Sequence, residues 1–158
     1  LVLSVGNEAD HPFIRAIAAQ YSLKVVKQCV GDLGTKMLNT FKLFGTPAAI
    51  IGADVALVSQ DSLGQAYQAL RQAKNVVGPS EDGGYYLIGL TEAHAPLFED
   101  IDWGTAQVMA QTTVRATNNS IALQSLERIR DIDEWADVVY AAKHIPALAL
   151  YLCQQRLV

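Results

Sequence analysis

One stretch constrains this chain more than any other: Gly78-Pro79-Ser80-Glu81-Asp82-Gly83-Gly84, an acidic glycine-rich turn, runs directly into the apolar segment Tyr85-Tyr86-Leu87-Ile88-Gly89-Leu90. Paired glycines allow backbone conformations closed to other residues and let a ligand approach the main chain, while the apolar run anchors the turn in a sheet. A plain two-residue hairpin turn is satisfied by Asp82-Gly83 alone. The longer run therefore reads as a site-building turn at the edge of a sheet.

The rest of the chain alternates continuous apolar runs with helical periodicity, the pattern of an α/β layer fold. Strands are expected at 1–5, 23–26, 48–53, 76–77 and 85–90, with a strand or extended run at 121–126. The run at 48–53 reads as a central parallel strand ending in Asp54. Helices are expected at 12–20, with Phe13, Ile14 and Ile17 on one side, and at 35–44, with Met37, Phe41 and Phe44 as a buried stripe stopped by Gly45. A third, capped by Ser59 or Asp61, turns Leu63, Ala66, Tyr67 and Leu70 to the sheet. Further helices are expected at 105–116 and at 133–142, with Trp135, Val138 and Val139 inward, and Pro146 breaks or restarts the last one.

At 158 residues and 51% hydrophobic content, with no linker-like tract, residues 1–158 read as one domain around one core. The net charge of -4 without a Lys/Arg cluster argues against nucleic acid as a partner and favours a small ligand. Cys29 and Cys153 stand far apart without His or Cys at metal spacing, so neither a disulfide framework nor a zinc site is indicated, and a cytoplasmic location is expected. The opening Leu1-Val2-Leu3-Ser4-Val5 lacks a basic flank and reads as an internal strand rather than a signal peptide. The apolar segment 145–152 is far short of the roughly 20 residues that span a bilayer, and reads as a packing helix suited to a homodimer contact.

Asp54 closes an apolar strand, where ligands of open α/β sheets collect. Asp131 and Asp133 follow the extended run near 121–126 and precede a helix, so they could converge on the same rim. Hard cations such as Mg2+ take oxygen ligands and bridge to substrate phosphates, for which two carboxylates from separate segments suffice. Helix capping is the competing role for both Asp54 and Asp133. Gln28-Cys29-Val30-Gly31-Asp32-Leu33-Gly34-Thr35-Lys36 joins a strand to a helix and could present amides to a phosphate or base edge; Gln28 and Lys36 would serve equally well as surface residues. Trp103 precedes Gly104-Thr105 at a helix start and could floor a pocket or fill a core. His11, His94 and His144 have no visible partner, and neither Gly-x-Ser-x-Gly nor a phosphate-binding Gly-x-x-x-x-Gly-Lys-Ser/Thr loop occurs.

In order and spacing, Gln28-x-x-Gly31-Asp32-Leu33-Gly34-x-Lys36-Met37, Gly52-x-Asp54, the 78–90 segment, Trp103-x-Thr105 and Asp131-Ile132-Asp133 resemble the bacterial glycosyltransferase-like, or nucleotide-diphospho-sugar transferase, family that is similar to 2-phospho-L-lactate guanylyltransferase. The resemblance implies a GT-A type three-layer α/β/α fold with a mostly parallel mixed sheet. The resemblance further implies an N-terminally shortened form of that fold, since family members open with a strand and a basic phosphate-binding loop that is expected to be missing here. It implies Mg2+ or Mn2+ held by Asp54 and Asp133, with Asp54 and Asp82 as the catalytic carboxylates. Gln28, Gly31, Asp32, Gly34 and Lys36 would border the nucleotide, and Glu81, Gly83, Gly84, Tyr85, Trp103 and Thr105 the sugar or small-molecule acceptor. The function so implied is metal-dependent glycosyl or nucleotidyl transfer on a nucleotide or nucleotide sugar; the alternative is a noncatalytic, shortened member acting as a nucleotide-binding or assembly module.

Overall fold

The computed structural model describes residues 1–155. The chain opens with β1 (Val2–Val5), α1 (Pro12–Gln20) and β2 (Lys24–Lys27), a β-α-β unit whose two strands pair in parallel. It continues through α2 (Leu33–Phe44), β3 (Ala48–Ile51), α3 (Gln60–Arg71), β4 (Asn75–Pro79) and β5 (Tyr85–Leu90). A 3-10 turn (Ala95–Phe98), α4 (Val108–Asn118), β6 (Leu123–Ser125), α5 (Trp135–Ala142) and α6 (Pro146–Gln154) complete it.

β3 to β6 form a mixed sheet in the order β3-β5-β4-β6. β5 runs antiparallel to β3 and β4, and β6 parallel to β4, so three strands point one way and β5 the other. The strand ending near Asp54 is therefore an edge strand of this sheet, paired antiparallel, and not the central parallel strand that its apolar run suggested. Ala48-Ala49-Ile50-Ile51 alternates half-buried and exposed residues, as an edge does, whereas β4 and β5 are buried almost throughout.

Two hydrophobic layers enclose that sheet. Met37 and Phe41 of α2, Leu97 and Phe98 of the 3-10 turn and Ala116 of α4 pack on Ile88 and Leu90 from one side. Ala66 and Ala69 of α3, with Val55 and Leu126, pack on Val76, Tyr86 and Leu87 from the other. The register explains why adjacent Tyr86 and Leu87 share a side while Tyr85 takes the other. Gly78 lies opposite Leu87 and Pro79 opposite Tyr85, so Tyr86 is the extra residue of a bulge. Gly78 makes room for it, because a Cβ there would meet the Tyr86 ring at 2.4 Å.

One of the expected buried faces is rotated, and two others keep their aliphatic members half-buried while an aromatic turns outward. In α3 the residues against the sheet are Ser62, Ala66 and Ala69, with Leu70 half-buried; Leu63 and Tyr67 face outward, Tyr67 beneath the Arg71 guanidinium. Small residues let this helix lie close to the sheet, and the larger side chains flank the contact. Phe13 in α1 is 64% exposed and Trp135 in α5 is 52% exposed, so neither fills a core. The elements themselves follow local signals: Asp32 caps α2 through the Thr35 amide, Gly45 ends it at φ 82, and Ser59 caps α3 through the Ser62 amide.

Candidate functional site

The glycine-rich turn joins β4 to β5 where β4 ends. Its carboxylate, Asp82, accepts hydrogen bonds from the Ser80 hydroxyl and from the Gly84 amide at 2.8 Å, which aims it back over the turn. Ser80 also bridges to Ile129 as a parallel ladder pair: Glu81 N–H donates to Ile129 O (3.0 Å) and Ile129 N–H to Pro79 O (3.1 Å). That bridge brings the following extended segment alongside the turn. Alternate residues of an extended chain share a side, and one oxygen each from Asp82, Asp131 and Asp133 lies within 4.8 Å of the others. Ile132 N–H in turn donates to Asp54 O (3.3 Å), tying the end of β3 to the same place.

The electrostatics follow from this convergence. Partial burial raises the Asp131 carboxyl above the ordinary aspartate range, and the charges of Asp82, Asp133 and Asp54 add repulsion. The ion pairs among the described residues lie elsewhere: Arg15–Asp10, Arg115–Asp100 and Arg130–Asp137. Capping does not occupy these carboxylates either. Glu134 is the N-cap of α5, in a capping box with Asp137, and Ser59 is the N-cap of α3. Asp133 and Asp54 thus keep their carboxylates free for another use. An all-oxygen set of three carboxylates, two of them exposed, suits a hard divalent cation, and Asp54 stands beside this set rather than within it.

The second predicted group spans the end of β2 and the start of α2. Asp32 spends its carboxylate on the N-terminus of α2, accepting from Thr35 N–H at 2.8 Å, and that bond with nearby Lys36 holds its pKa below the usual value. An anion already occupies the place where a phosphate would use the helix dipole, so this end suits a base edge better. Gln28, at the end of β2, donates to Ser4 O at 3.5 Å, and Gly31 has φ 139. Gly34 lies inside the first turn of α2, where its hydrogen is needed for packing: a Cβ would stand 2.6 Å from the Trp103 ring and 2.7 Å from Phe98 O.

Trp103 packs edge-on to Tyr85, with ring centroids 6.3 Å apart, and so links α2 to the glycine-rich turn. Thr105 donates its hydroxyl to Asp102 O and accepts from the Gln107 amide, a local turn role. Glu81 is exposed at the turn. The Tyr85 hydroxyl, the Trp103 indole N–H and the Thr112 hydroxyl are buried without a hydrogen-bond partner among the described residues, and burial drives the Tyr85 pKa upward. Sequence reasoning missed Thr112, Met109 and Ile129. Met109 and Ile129 act through the backbone and leave no side-chain signal, and Thr112 shows only as one polar residue on an otherwise ordinary helix.

Mixed β3-β5-β4-β6 pairing with helical layers on both faces is the architecture of a nucleotide-diphospho-sugar transferase-like fold. A solved structure from Desulfovibrio desulfuricans, of a protein provisionally named a nucleotide-diphospho-sugar transferase, superposes with a TM-score of 0.76 at 26% identity. The match covers 89% of this chain and 64% of that one, so the chain spans about two-thirds of its relative's length. Residues 1–105 match the family model described as uncharacterized protein conserved in bacteria (DUF2064), and the chain belongs to that family. No curated protein sequence matches. No helix of the described residues is long and apolar enough to cross a membrane.

Proposed function

We propose that this chain is a metal-dependent transferase that acts on a nucleotide or nucleotide sugar. The observation that carries the reading is the convergence of Asp82, Asp131 and Asp133, with Asp54 adjacent, on the turn between β4 and β5. Their oxygens fit Mg2+ or Mn2+, which when bound would neutralise charge on a diphosphate leaving group. Asp82 is preorganised by Ser80 and Gly84, and Asp131 and Asp133 are brought in by the Ile129 bridge. Asp54 would sit in the outer ring, repelling unbound carboxylates and orienting water. The base would lie toward Gln28, Gly31 and Lys36, and the sugar or acceptor toward Tyr85, Trp103 and Thr105. The likeness to the Desulfovibrio protein supports the same class of substrate.

Differential scanning fluorimetry with ADP, GDP, CDP, UDP and their glucose conjugates, each with Mn2+ and with EDTA, tests this. The expected result is a metal-dependent rise in midpoint for one base, by mass action on the folded state, which Asp131→Asn removes. Equal midpoints with Mn2+ and EDTA for every ligand would reject the reading. Binding without turnover in a glycosyl- or nucleotidyl-transfer assay would instead mark a nucleotide-binding module.

A further inference from the structure

We propose that the first turn of α4 is the positioning element of the carboxylate cluster, with the Met109 amide and Gly83 as its working parts; this rests on the reading of Asp82, Asp131 and Asp133 as a cation site. Met109 is the second residue of α4, and its N–H is one of the donors that a helix leaves without an internal partner. That N–H donates to Gly83 O at 2.9 Å. Gly83 directly follows Asp82, has φ 93, and leans against the segment before α4: a Cβ there would lie 2.3 Å from Ala106 O and 2.7 Å from Ala106 Cα. Those are backbone atoms, which cannot swing aside as a side chain can. Glycine is thus required at 83 both for its φ and for the close approach that makes the latch.

The turn is held on its other flank by the Ile129 bridge, two residues before Asp131. Asp82 therefore hangs between two backbone attachments, and the distance from its carboxylate to Asp131 and Asp133 is set by both. The three like charges push the turn open, and α4 opposes that push. With the latch cut, a cation must first reclose the turn, and its affinity falls accordingly. Met109 and Gly83 act on the cluster through Asp82.

Mn2+ alone, titrated into the whole chain and followed by the electron paramagnetic resonance of free Mn2+, tests this. Proline is compatible with the first helical turn, so Met109→Pro removes the donor while Met109→Ala keeps it. The expected result is wild-type affinity for Met109→Ala and an affinity about tenfold weaker for Met109→Pro, the scale of one lost hydrogen bond. Ala69→Gly, in α3 away from the turn, controls for stability and should bind as wild type. Amide exchange on the wild-type chain gives a reading independent of any variant: Mn2+ should slow exchange at Met109 and Gly84. Equal affinities for the two Met109 variants, or Mn2+ binding without added protection at Met109, would overturn the positioning role and leave the cation site standing. Absence of Mn2+ binding by the wild type would overturn both.

Discussion

Residues 1–30 and residues 33–126 obey the same local rules with different results. In the first region α1 is opened by His11 and Pro12, and β1 and β2 pair over four residues, yet none of its residues is buried. Phe13 and Tyr21 face outward, and none of the described strands pairs with the outer edges of β1 and β2. In the second, β4 and β5 are buried almost throughout, between α2 and α4 on one side and α3 on the other. Local sequence decides what each element is, while burial depends on whether layers meet on both its faces. The candidate site inherits that division: its acidic side stands on the enclosed sheet, and Gln28 stands on the open unit.

The contrast can be broken most decisively by amide hydrogen exchange. Val77 and Ile88 are expected to exchange only through global unfolding, and Leu3 and Val25 through local opening, at least about a thousandfold faster. Similar rates would show the two regions to be one cooperative unit. Phe41→Ala, which empties a fully buried position beside Phe98, should cost about 3–5 kcal/mol in chemical denaturation, against no more than about 0.5 kcal/mol for Phe13→Ala. Comparable losses would place a core around α1.

Asp131→Asn should raise the metal-free melting midpoint at pH 7 while abolishing Mn2+ binding. The Asp131 carboxyl is held above its ordinary value, so the folded state binds that proton more readily than the unfolded one. Its contribution to stability is full below the ordinary aspartate range and is lost as pH rises through the raised value. The variant should flatten that part of the pH–stability profile; an unchanged profile would show that the carboxylates do not repel. The smallest effect is expected at the boundary between the regions. Asp32 is held below its ordinary value by Thr35, so its stabilisation of α2 is present above the ordinary range and is lost as pH falls through the lowered value. Asp32→Ala should lower the midpoint slightly at pH 7 and not at all in strong acid.

Much of this was legible beforehand. The spans of α1 and β5, the stop of α2 at Gly45 and the pairing of a glycine turn with an apolar strand follow from capping, periodicity and turn chemistry, which are properties of neighbouring residues. The edge position of β3 was not legible, because four apolar residues look the same in an edge strand and a central one. Nor was the face of α3, where Ala66 and Ala69 displace Leu63 and Tyr67: which side a helix buries depends on how closely it approaches the sheet. At the site, the sequence singles out Asp82, Asp54, Asp131 and Asp133 by their places at turn and strand ends. Which of them group together, with Asp54 beside the other three, depends on the Ser80–Ile129 bridge, a contact between residues 49 positions apart.

The extra residue at Tyr86 has a consequence for how this segment tolerates change. After Tyr86 the even-numbered residues face α2 and α4, and before it the odd-numbered Tyr85 does, so the extra residue places Tyr86 beside Leu87 in the α3 layer without moving Tyr85 from its place opposite Pro79. Losing Tyr86 itself would restore plain alternation, leave Tyr85 against Trp103 and empty the space above Gly78. Conservative replacements of Tyr86 that fill that space should therefore be accepted, whereas its deletion should cost packing on the α3 side and leave the Tyr85 side intact.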